Sequence, residues 1–355
     1  MNHRPLTKSP KIGVSIVAYS NVSGTVSLVG SLAAQMEPGD SIVIIDNHED
    51  HLLSRESPLN VKVIQTPNDG FAVGQNLAVE NLLQNGAEII VVINPDVSVG
   101  EDFLMSVRRR AFRYFDAWMP LILTPKQTIN SAGNIVHITG LSWTKQFLQP
   151  ISNAPTKRRS LSVLSGACLV ISAAAWRSVG GFATDYFLYY EDTDLSTRLY
   201  RYGWRMGIDP AVKVVHDIDF IKGDYKWFYI ERNRLVYIIN TWPLGAILAL
   251  LPILIAVEPC LFIIAALQGR LKTKASAWLA QWSGIGRALK QRKTVTRLPI
   301  GSYEFYKTLE YKLSNPYFGI LNSMLVGELL HAAYWFFSIP IVAWHMLGSL
   351  TGRRS

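Results

Sequence analysis

Four places in the chain set a carboxylate or an imidazole where a strand pattern stops or a helix pattern starts: Asp46, Asp96, the Glu191-Asp192 pair and His216. Asp96 is the most informative. It closes the apolar run Glu88-Ile89-Ile90-Val91-Val92-Ile93 through the turn Asn94-Pro95-Asp96. Pro95 has no amide hydrogen to give a neighbouring strand, so the run ends there. Open α/β sheets bind ligands at the carboxyl ends of their strands. A carboxylate in that position can hold a divalent cation, and a cation there points to a phosphate-bearing substrate. Each position also has a plainer reading. Asn-Pro-Asp and Asp46-Asn47 are ordinary turn sequences. Asp192 suits a helix N-cap, with Asp194 pairing Arg198 one turn on. His216 can be a strand-end histidine with one satisfied hydrogen bond. What separates the readings is whether the four places fall together.

The elements that would bring them together alternate. Ile12 to Tyr19 reads as a buried strand, followed by a helix to about Gln35 capped by Asn21 or Ser23. Ser41 to Ile45 is a second strand ending at Asp46-Asn47, and Val61 to Ile64 a short third. Phe71 to Leu83 and Phe103 to Phe112 have helical patterns, the latter with an Arg108-Arg109-Arg110 stripe expected to face solvent. Thr124 to Arg159 is irregular and predicts a mobile loop over the site. Regularity returns with a strand within Leu161 to Ser172, a short helix over Ala173 to Ser178 and a helix over Asp192 to Tyr202. Val212 to Val215 then forms a strand ending at His216. Alternating β and α units predict a mostly parallel, doubly wound sheet.

Composition changes after Trp242. Of the 355 residues, 49% are hydrophobic and only 17% charged, and the net charge of +9 is uneven. From Gln268 to Ser355 there are twelve Lys/Arg against three Glu, so the chain before that is nearly neutral. Pro243 to Leu267 carries one charge, Glu258, and two internal prolines, Pro252 and Pro259. It is long enough to span a bilayer, but those residues also suit a kinked, re-entrant or hairpin segment. Lys272 to Lys293 interleaves Trp278, Leu279, Trp282, Ile285 and Leu289 with basic residues, as an interfacial helix does. Phe318 to Leu350 is a second apolar stretch. These features divide the chain into 1–242, a catalytic domain, and 243–355, a helical membrane-associated region. A basic tail beside apolar runs points to an anionic membrane surface and not to nucleic acid, for which no module is visible. Met1 to Lys11 has no apolar core of a signal peptide, and Cys168 and Cys260 suggest no disulfide framework. Both fit the cytoplasmic face of a membrane.

Seven short motifs, in order, resemble the family 2 glycosyltransferases. They are Val14 to Tyr19, Ile44-Ile45-Asp46-Asn47, Asn68 to Asn76, Ile93-Asn94-Pro95-Asp96-Val97, Ser165 to Val170 with Val179 to Phe182, Tyr189 to Arg198, and Tyr229 to Arg234. The Asn68 to Asn76 stretch and Asn94-Pro95-Asp96 are similar to rhamnosyltransferase-like members. The resemblance implies a GT-A fold and an inverting transfer of a sugar from a nucleotide sugar to a hydroxyl. It implies Asp192 as general base, with Glu191 as alternative and Asp194 structural. It implies Asp46 on the base or ribose of the donor, Asn76 and Arg198 shaping the donor site, and Asn94 and Asp96 at the diphosphate. Mn²⁺ or Mg²⁺ would be held by Asp96, with His216 as second ligand. One departure stands out: the metal motif often has a carboxylate at both ends, and here Asn94 takes the first place. The apolar tail points to a lipid-linked saccharide acceptor, or simply to an anchor. A polyprenyl-phosphate glycosyltransferase and a non-catalytic nucleotide-sugar-binding scaffold are the alternatives. No Gly-x-Gly-x-x-Gly follows the first strand, which argues against a dehydrogenase.

Overall fold

The computed structural model describes residues 9–51, 53, 61–217, 224–295 and 298–312, with isolated positions between 328 and 343. The expected apolar stretch Phe318 to Leu350 lies largely outside the described residues. The chain divides into two compact units. The first comprises Met1–Gly133, Thr144–Leu195 and Trp204–Asp219; the second comprises Asn134–Trp143, Ser196–Gly203 and Phe220–Ser355.

The first unit is built on a ten-stranded sheet. Its strands are β1 (Ile12–Ala18), β2 (Ser41–Asp46), β3 (Lys62–Gln65), β4 (Ile89–Ile93), β5 (Val97–Val99), β6 (Ala117–Leu123), β7 (Ile129–Ser131), β10 (Arg159–Ser160), β11 (Cys168–Ser172) and β12 (Met206–His216), where β8 (Asn134–Val136) and β9 (Ser142–Thr144) form a separate ribbon. The main order is β10-β12-β6-β11-β4-β1-β2-β3, with β5 on β12 and β7 on β6. β4, β1, β2 and β3 run parallel, as do β6 and β12, while β11 runs antiparallel between β4 and β6. The sheet is therefore mixed and mostly parallel. β1 and β4 are buried along their whole length, which is why they read as continuous apolar runs. The parallel alignment sets the carboxyl ends of β1, β2 and β4 on one edge.

Three helices follow the first strands: α1 (Val22–Ala33), α2 (Phe71–Gln84) and α3 (Phe103–Arg110). Asn21 caps α1 by accepting from the Gly24 amide. α2 starts where Gly70 takes φ +99°, and a Cβ there would sit 2.6 Å from the Phe187 carbonyl oxygen. The arginine stripe of α3 departs from expectation. Arg108 pairs with Glu37 and Asp40 and donates to the Pro10 carbonyl, and Arg110 pairs with Asp209; Arg109 alone is exposed. The segment Thr124 to Arg159 is also more regular than expected. It holds β7, β8 and β9, and Asn130, Ser131 and Ala132 are buried, so hydrogen bonding replaces the predicted loop. Its weak alternation hid these short strands. Two helices lead towards the last strand, α4 (Ala173–Val179) and α5 (Glu191–Tyr202); α5 has Glu191–Leu195 in the first unit and Ser196–Tyr202 in the second.

The second unit is mainly helical, with α6 (Asp224–Thr241), α7 (Leu244–Leu267), α8 (Leu271–Val295) and the short α9 (Ser302–Tyr306). α7 is one continuous helix through Pro252 and Pro259, with no break in its backbone from Leu244 to Leu267. The chain does turn back, but after Leu267, where Gly269 takes φ +70° and the Arg270 amide reaches the Ala265 carbonyl. Glu258, the one charge of α7, is paired with Arg234 of α6 and lies 3.2 Å from Lys274 of α8. Lys274 also meets Glu231 of α6 at 2.5 Å. The two prolines are tolerated because packing and this network, not the local ladder alone, hold the helix.

α7 and α8 reverse the usual pattern. α8 buries Lys274, Ala277, Gln281, Gly284 and Ala288, small or polar residues at helical spacing, and exposes Leu271, Leu279, Trp282 and Leu289. α7 exposes Leu244, Leu248, Leu251, Ile255, Ile263 and Leu267. α7 is long and apolar enough to cross a membrane by length and composition.

Candidate active site

The sheet joins three of the four chemically promising places through hydrogen bonds. Asn94-Pro95-Asp96 connects β4 to β5, and β5 pairs antiparallel with β12, so that Val97 lies opposite His216. The Asp217 amide donates to the Asp96 carbonyl at 3.0 Å. This register brings the imidazole to the carboxylate: His216 Nε2 is 3.1 Å from Asp96 Oδ1 and 3.5 Å from the Asn94 carboxamide. His216 is buried while Asp96 is half-buried.

The same turn reaches the acidic pair through two backbone groups. The Asn94 amide donates to the Ala167 carbonyl at 2.9 Å, extending the β4–β11 ladder by one step. The neighbouring Gly166 amide donates to Asp192 Oδ2 at 2.9 Å. Gly166-Ala167 is thus a bridge between the Asp96 turn and the start of α5. A side chain at Gly166 would place its Cβ 3.1 Å from the Asp192 Cβ, so glycine lets α5 approach this closely. Asp192 Oδ1 takes the Thr193 amide at 2.6 Å and the Thr193 hydroxyl at 3.2 Å.

The two acids differ in environment. Glu191 is buried, and its Oε2 has no hydrogen-bond partner among the described residues. Burial, then the charges of Asp192 and Asp194, push its carboxyl up to about 8. Burial also raises the Asp192 carboxyl, but the Gly166 and Thr193 donors oppose the shift by favouring the anion. At neutral pH Glu191 bears a proton, while the Gly166 and Thr193 donors favour the anionic form of Asp192 against the effect of burial. Asp194 is buried and accepts from the Tyr186 hydroxyl at 3.0 Å. Tyr189 and Tyr190, immediately before the pair, both take left-handed backbone conformations with φ of 66° and 74°. Such strain in non-glycine residues persists where surrounding structure imposes it, and it is concentrated at functional sites.

Asp46 lies at the end of β2, on the same sheet edge, beside β1 through the Ala18–Asp46 register. It is fully buried. Its Oδ1 accepts from the His48 amide at 3.0 Å, and its Oδ2 has no partner among the described residues. A buried carboxylate oxygen without a donor is costly unless a ligand supplies one. Tyr19, 54% exposed, and His48 stand next to it with ring centroids 6.1 Å apart.

Sequence similarity decides what this edge belongs to. Residues 89–347 match the model described as glycosyl transferase family group 2. The chain belongs to that family. The transferase is also 26% identical over 231 residues to the N-acetylglucosaminyl-diphospho-decaprenol L-rhamnosyltransferase of Mycobacterium tuberculosis (strain ATCC 25618 / H37Rv), a match covering 57% of this chain and 75% of that one. Among solved structures it superposes on S. aureus TarS 1-349 in complex with UDP, with TM-score 0.51 and 14% identity, covering 92% of this chain and 88% of that chain. It superposes on GalNAc-T7 with UDP, GalNAc and Mn²⁺ with TM-score 0.51 and 14% identity, covering 65% of this chain but only 48% of that chain. The fold of the transferase is GT-A, as its motifs implied, and the protein is a glycosyltransferase.

The remaining residues singled out in the sequence are placed as follows. Asn76, on α2, spends its carboxamide on the backbone of Phe182, accepting from its amide at 2.9 Å and donating to its carbonyl at 2.8 Å. Arg198 is buried in the second unit. For a divalent cation, the described residues contain no group of three or more His, Cys, Asp or Glu. Asp96, His216 and the buried, unpartnered Asn94 Oδ1 nonetheless form a donor set of suitable chemistry. Sequence reasoning missed Tyr19, His48 and the Gly166 and Thr193 donors. Only Gly166, a glycine at the start of a strand pattern, carried a local signal.

Proposed function

We propose that the transferase moves a sugar, with inversion at the anomeric carbon, from a nucleotide sugar to a hydroxyl of a lipid-linked saccharide in surface polysaccharide or glycolipid synthesis. The observation that carries this reading is the Gly166-Ala167 bridge, which holds Asp192 in one hydrogen-bonded system with the Asp96 turn. Asp192 takes the proton of the acceptor hydroxyl as its oxygen forms the new bond to the anomeric carbon. The bond from that carbon to the diphosphate breaks, and the nucleoside diphosphate leaves with the electron pair. Attack opposite the leaving group gives inversion. Glu191, protonated at neutral pH, lowers the negative charge beside Asp192; it is the alternative base in its ionised form. Asp46 Oδ2 accepts from a hydroxyl or ring N–H of the nucleoside, with Tyr19 and His48 flanking it. Asn76 shapes the donor site indirectly by fixing the Phe182 turn, and Arg198 is proposed to help shape the donor site.

Asp96 and His216, with the Asn94 side-chain oxygen, would hold Mn²⁺ or Mg²⁺, which supplies charge neutralisation for the departing diphosphate. Histidine favours Mn²⁺. The related mycobacterial enzyme is named for an acceptor linked through a diphosphate to decaprenol, which supports a polyprenyl-linked acceptor here. The outward leucines and isoleucines of α7 and α8, with Trp282, support residues 243–355 as a membrane-associated region at the cytoplasmic face. The Glu258–Lys274 contact ties α7 to α8 as a hairpin, which favours docking on the bilayer over a lone crossing helix.

The test is nucleoside diphosphate release from a panel of nucleotide sugars with a polyprenyl-diphosphate saccharide as acceptor. Wild-type protein should release the nucleotide from one donor with acceptor present, and Asp192→Asn should not. Equal release from both proteins would overturn the catalytic reading in favour of a nucleotide-sugar-binding scaffold. Efficient transfer to polyprenyl phosphate itself would instead make it a polyprenyl-phosphate glycosyltransferase.

A further inference from the structure

Several of the transferase's arginines are answered by a carboxylate. Arg108 meets Glu37 and Asp40, Arg110 and Arg158 share Asp209, and Arg234 meets Glu258. Arg201 and Arg292, both in the second unit, are not. Arg201, at the end of α5, is 3% exposed and donates through Nη1 to the Thr241 carbonyl at 2.9 Å. Arg292, near the end of α8, is half-buried and donates to the Ile239 carbonyl at 2.5 Å. Both carbonyls belong to the last turn of α6, so the two guanidiniums converge on one helix C-terminus. Neither has a carboxylate partner among the described residues, and Arg201 Nε is buried with no partner there.

A helix C-terminus carries about half a negative charge, which answers one quarter of two guanidiniums. The remainder is a like-charged pair held partly out of water. Burial, and then Arg292, lower the Arg201 pKa to about 10, and burial lowers that of Arg292. A charge pair left in this way is stabilised by an anion that accepts from several N–H groups at once. Planar guanidinium forks match phosphate oxygens, and Arg292 remains partly open to solvent. Leu289 and Trp282, exposed on the same helix as Arg292, lie one and three turns before it, so apolar surface leads up to the pair.

We propose that Arg201 and Arg292 form a phosphate-binding site, distinct from the donor site, for the phosphate group of a membrane amphiphile. The C-terminal turn of α6 fixes one side of each guanidinium, and the free N–H groups take the phosphate oxygens. The apolar face of α8 would lie along the attached hydrocarbon chain. This site is independent of the reading of Asp96 and Asp192.

The experiment uses the full-length protein in neutral detergent without divalent cations. Inorganic pyrophosphate should raise the melting temperature of wild type, and of Asp96→Ala, which disables only the proposed donor site. Arg292→Lys keeps the charge but loses the fork, and should weaken pyrophosphate about ten-fold, as should Arg292→Gln. Their melting temperatures without pyrophosphate show whether they are folded, and a spare of the buried Arg201 avoids an unfolded variant. Flotation with phosphatidylglycerol vesicles and with phosphatidylcholine vesicles identifies the source. A loss of phosphatidylglycerol preference in Arg292→Lys supports a lipid headgroup; equal capture with a pyrophosphate effect supports a free or soluble phosphate. No stabilisation of wild type, or stabilisation that Arg292→Lys retains in full, overturns the site. Stabilisation lost only in Asp96→Ala also overturns it, by assigning the pyrophosphate to the donor site.

Discussion

The strand-end cluster of the first unit and the four-charge network of the second hold similar side chains in opposite conditions. At the sheet edge, Asp46 Oδ2, Asn94 Oδ1, Glu191 Oε2 and His216 Nδ1 are buried without a partner among the described residues. Between α6, α7 and α8, Glu258 meets both Arg234 and Lys274, and Lys274 meets Glu231. Burial of polar atoms is equally costly in both places. In the network opposite charges meet, which offsets much of the cost and holds the helices together. At the edge it is left open, which is tolerated where a ligand completes the bonding. Four such atoms gathered at one sheet edge support that edge as the proposed site of chemistry.

The comparison can be broken by removing one member from each side. Asp96→Ala should lower transfer by about 10²- to 10³-fold and abolish the extra stabilisation by nucleoside diphosphate that Mn²⁺ confers, with the fold intact. Turnover assays and melting curves with and without Mn²⁺ check this, and an unchanged Mn²⁺ effect would remove Asp96 from the metal site. On the other side, Glu258→Gln should destabilise the protein by about 3 kcal/mol, because it removes a charged carboxylate that meets both the buried Arg234 and Lys274. Denaturant midpoints measure it, and Arg234→Met combined with Glu258→Leu should regain most of the loss. If Glu258→Gln instead lowers turnover without lowering stability, the division between the regions fails.

Two smaller effects sharpen the picture. Glu191 has a folded-state pKa raised from 4.5 to about 8, so the folded state binds the proton more tightly than the unfolded chain. Its contribution to stability is complete below about 4.5 and is lost as pH rises through about 8. Glu191→Gln should therefore flatten the fall of melting temperature across that window, and a parallel curve would deny the raised pKa. Gly166→Ala should cost the least. The new Cβ presses on Asp192, and turnover should fall by about ten-fold while nucleotide binding is retained, since a displacement of tenths of an ångström at the base matters to the chemical step. An unchanged rate would show that the bridge does not position Asp192.

The family of the chain and the strand-end positions of Asp46, Asp96 and His216 were legible in the sequence because buried parallel strands read as unbroken apolar runs with turn residues at their ends. The start of α5 at the acidic pair was legible within a residue. Glu258 was visible as an exception in an apolar run, but its partners were not. The solvated stripe expected at Arg108 to Arg110 failed because Glu37, Asp40 and Asp209 come from other elements. The short strands within Thr124 to Arg159 failed because three residues carry too little periodicity to read.

Sequence by itself determined which chemical groups this protein owns, and the helix and strand periods that carry them, since those depend on neighbours a few residues apart. Tertiary structure decided which groups meet. His216 reaches Asp96 only through the β5–β12 register, Asp192 reaches the Asp96 turn only through Gly166-Ala167, and Arg201 meets Arg292 only at the end of α6. Those pairings span tens of residues. They depend on sheet order and helix packing, which no local spacing encodes.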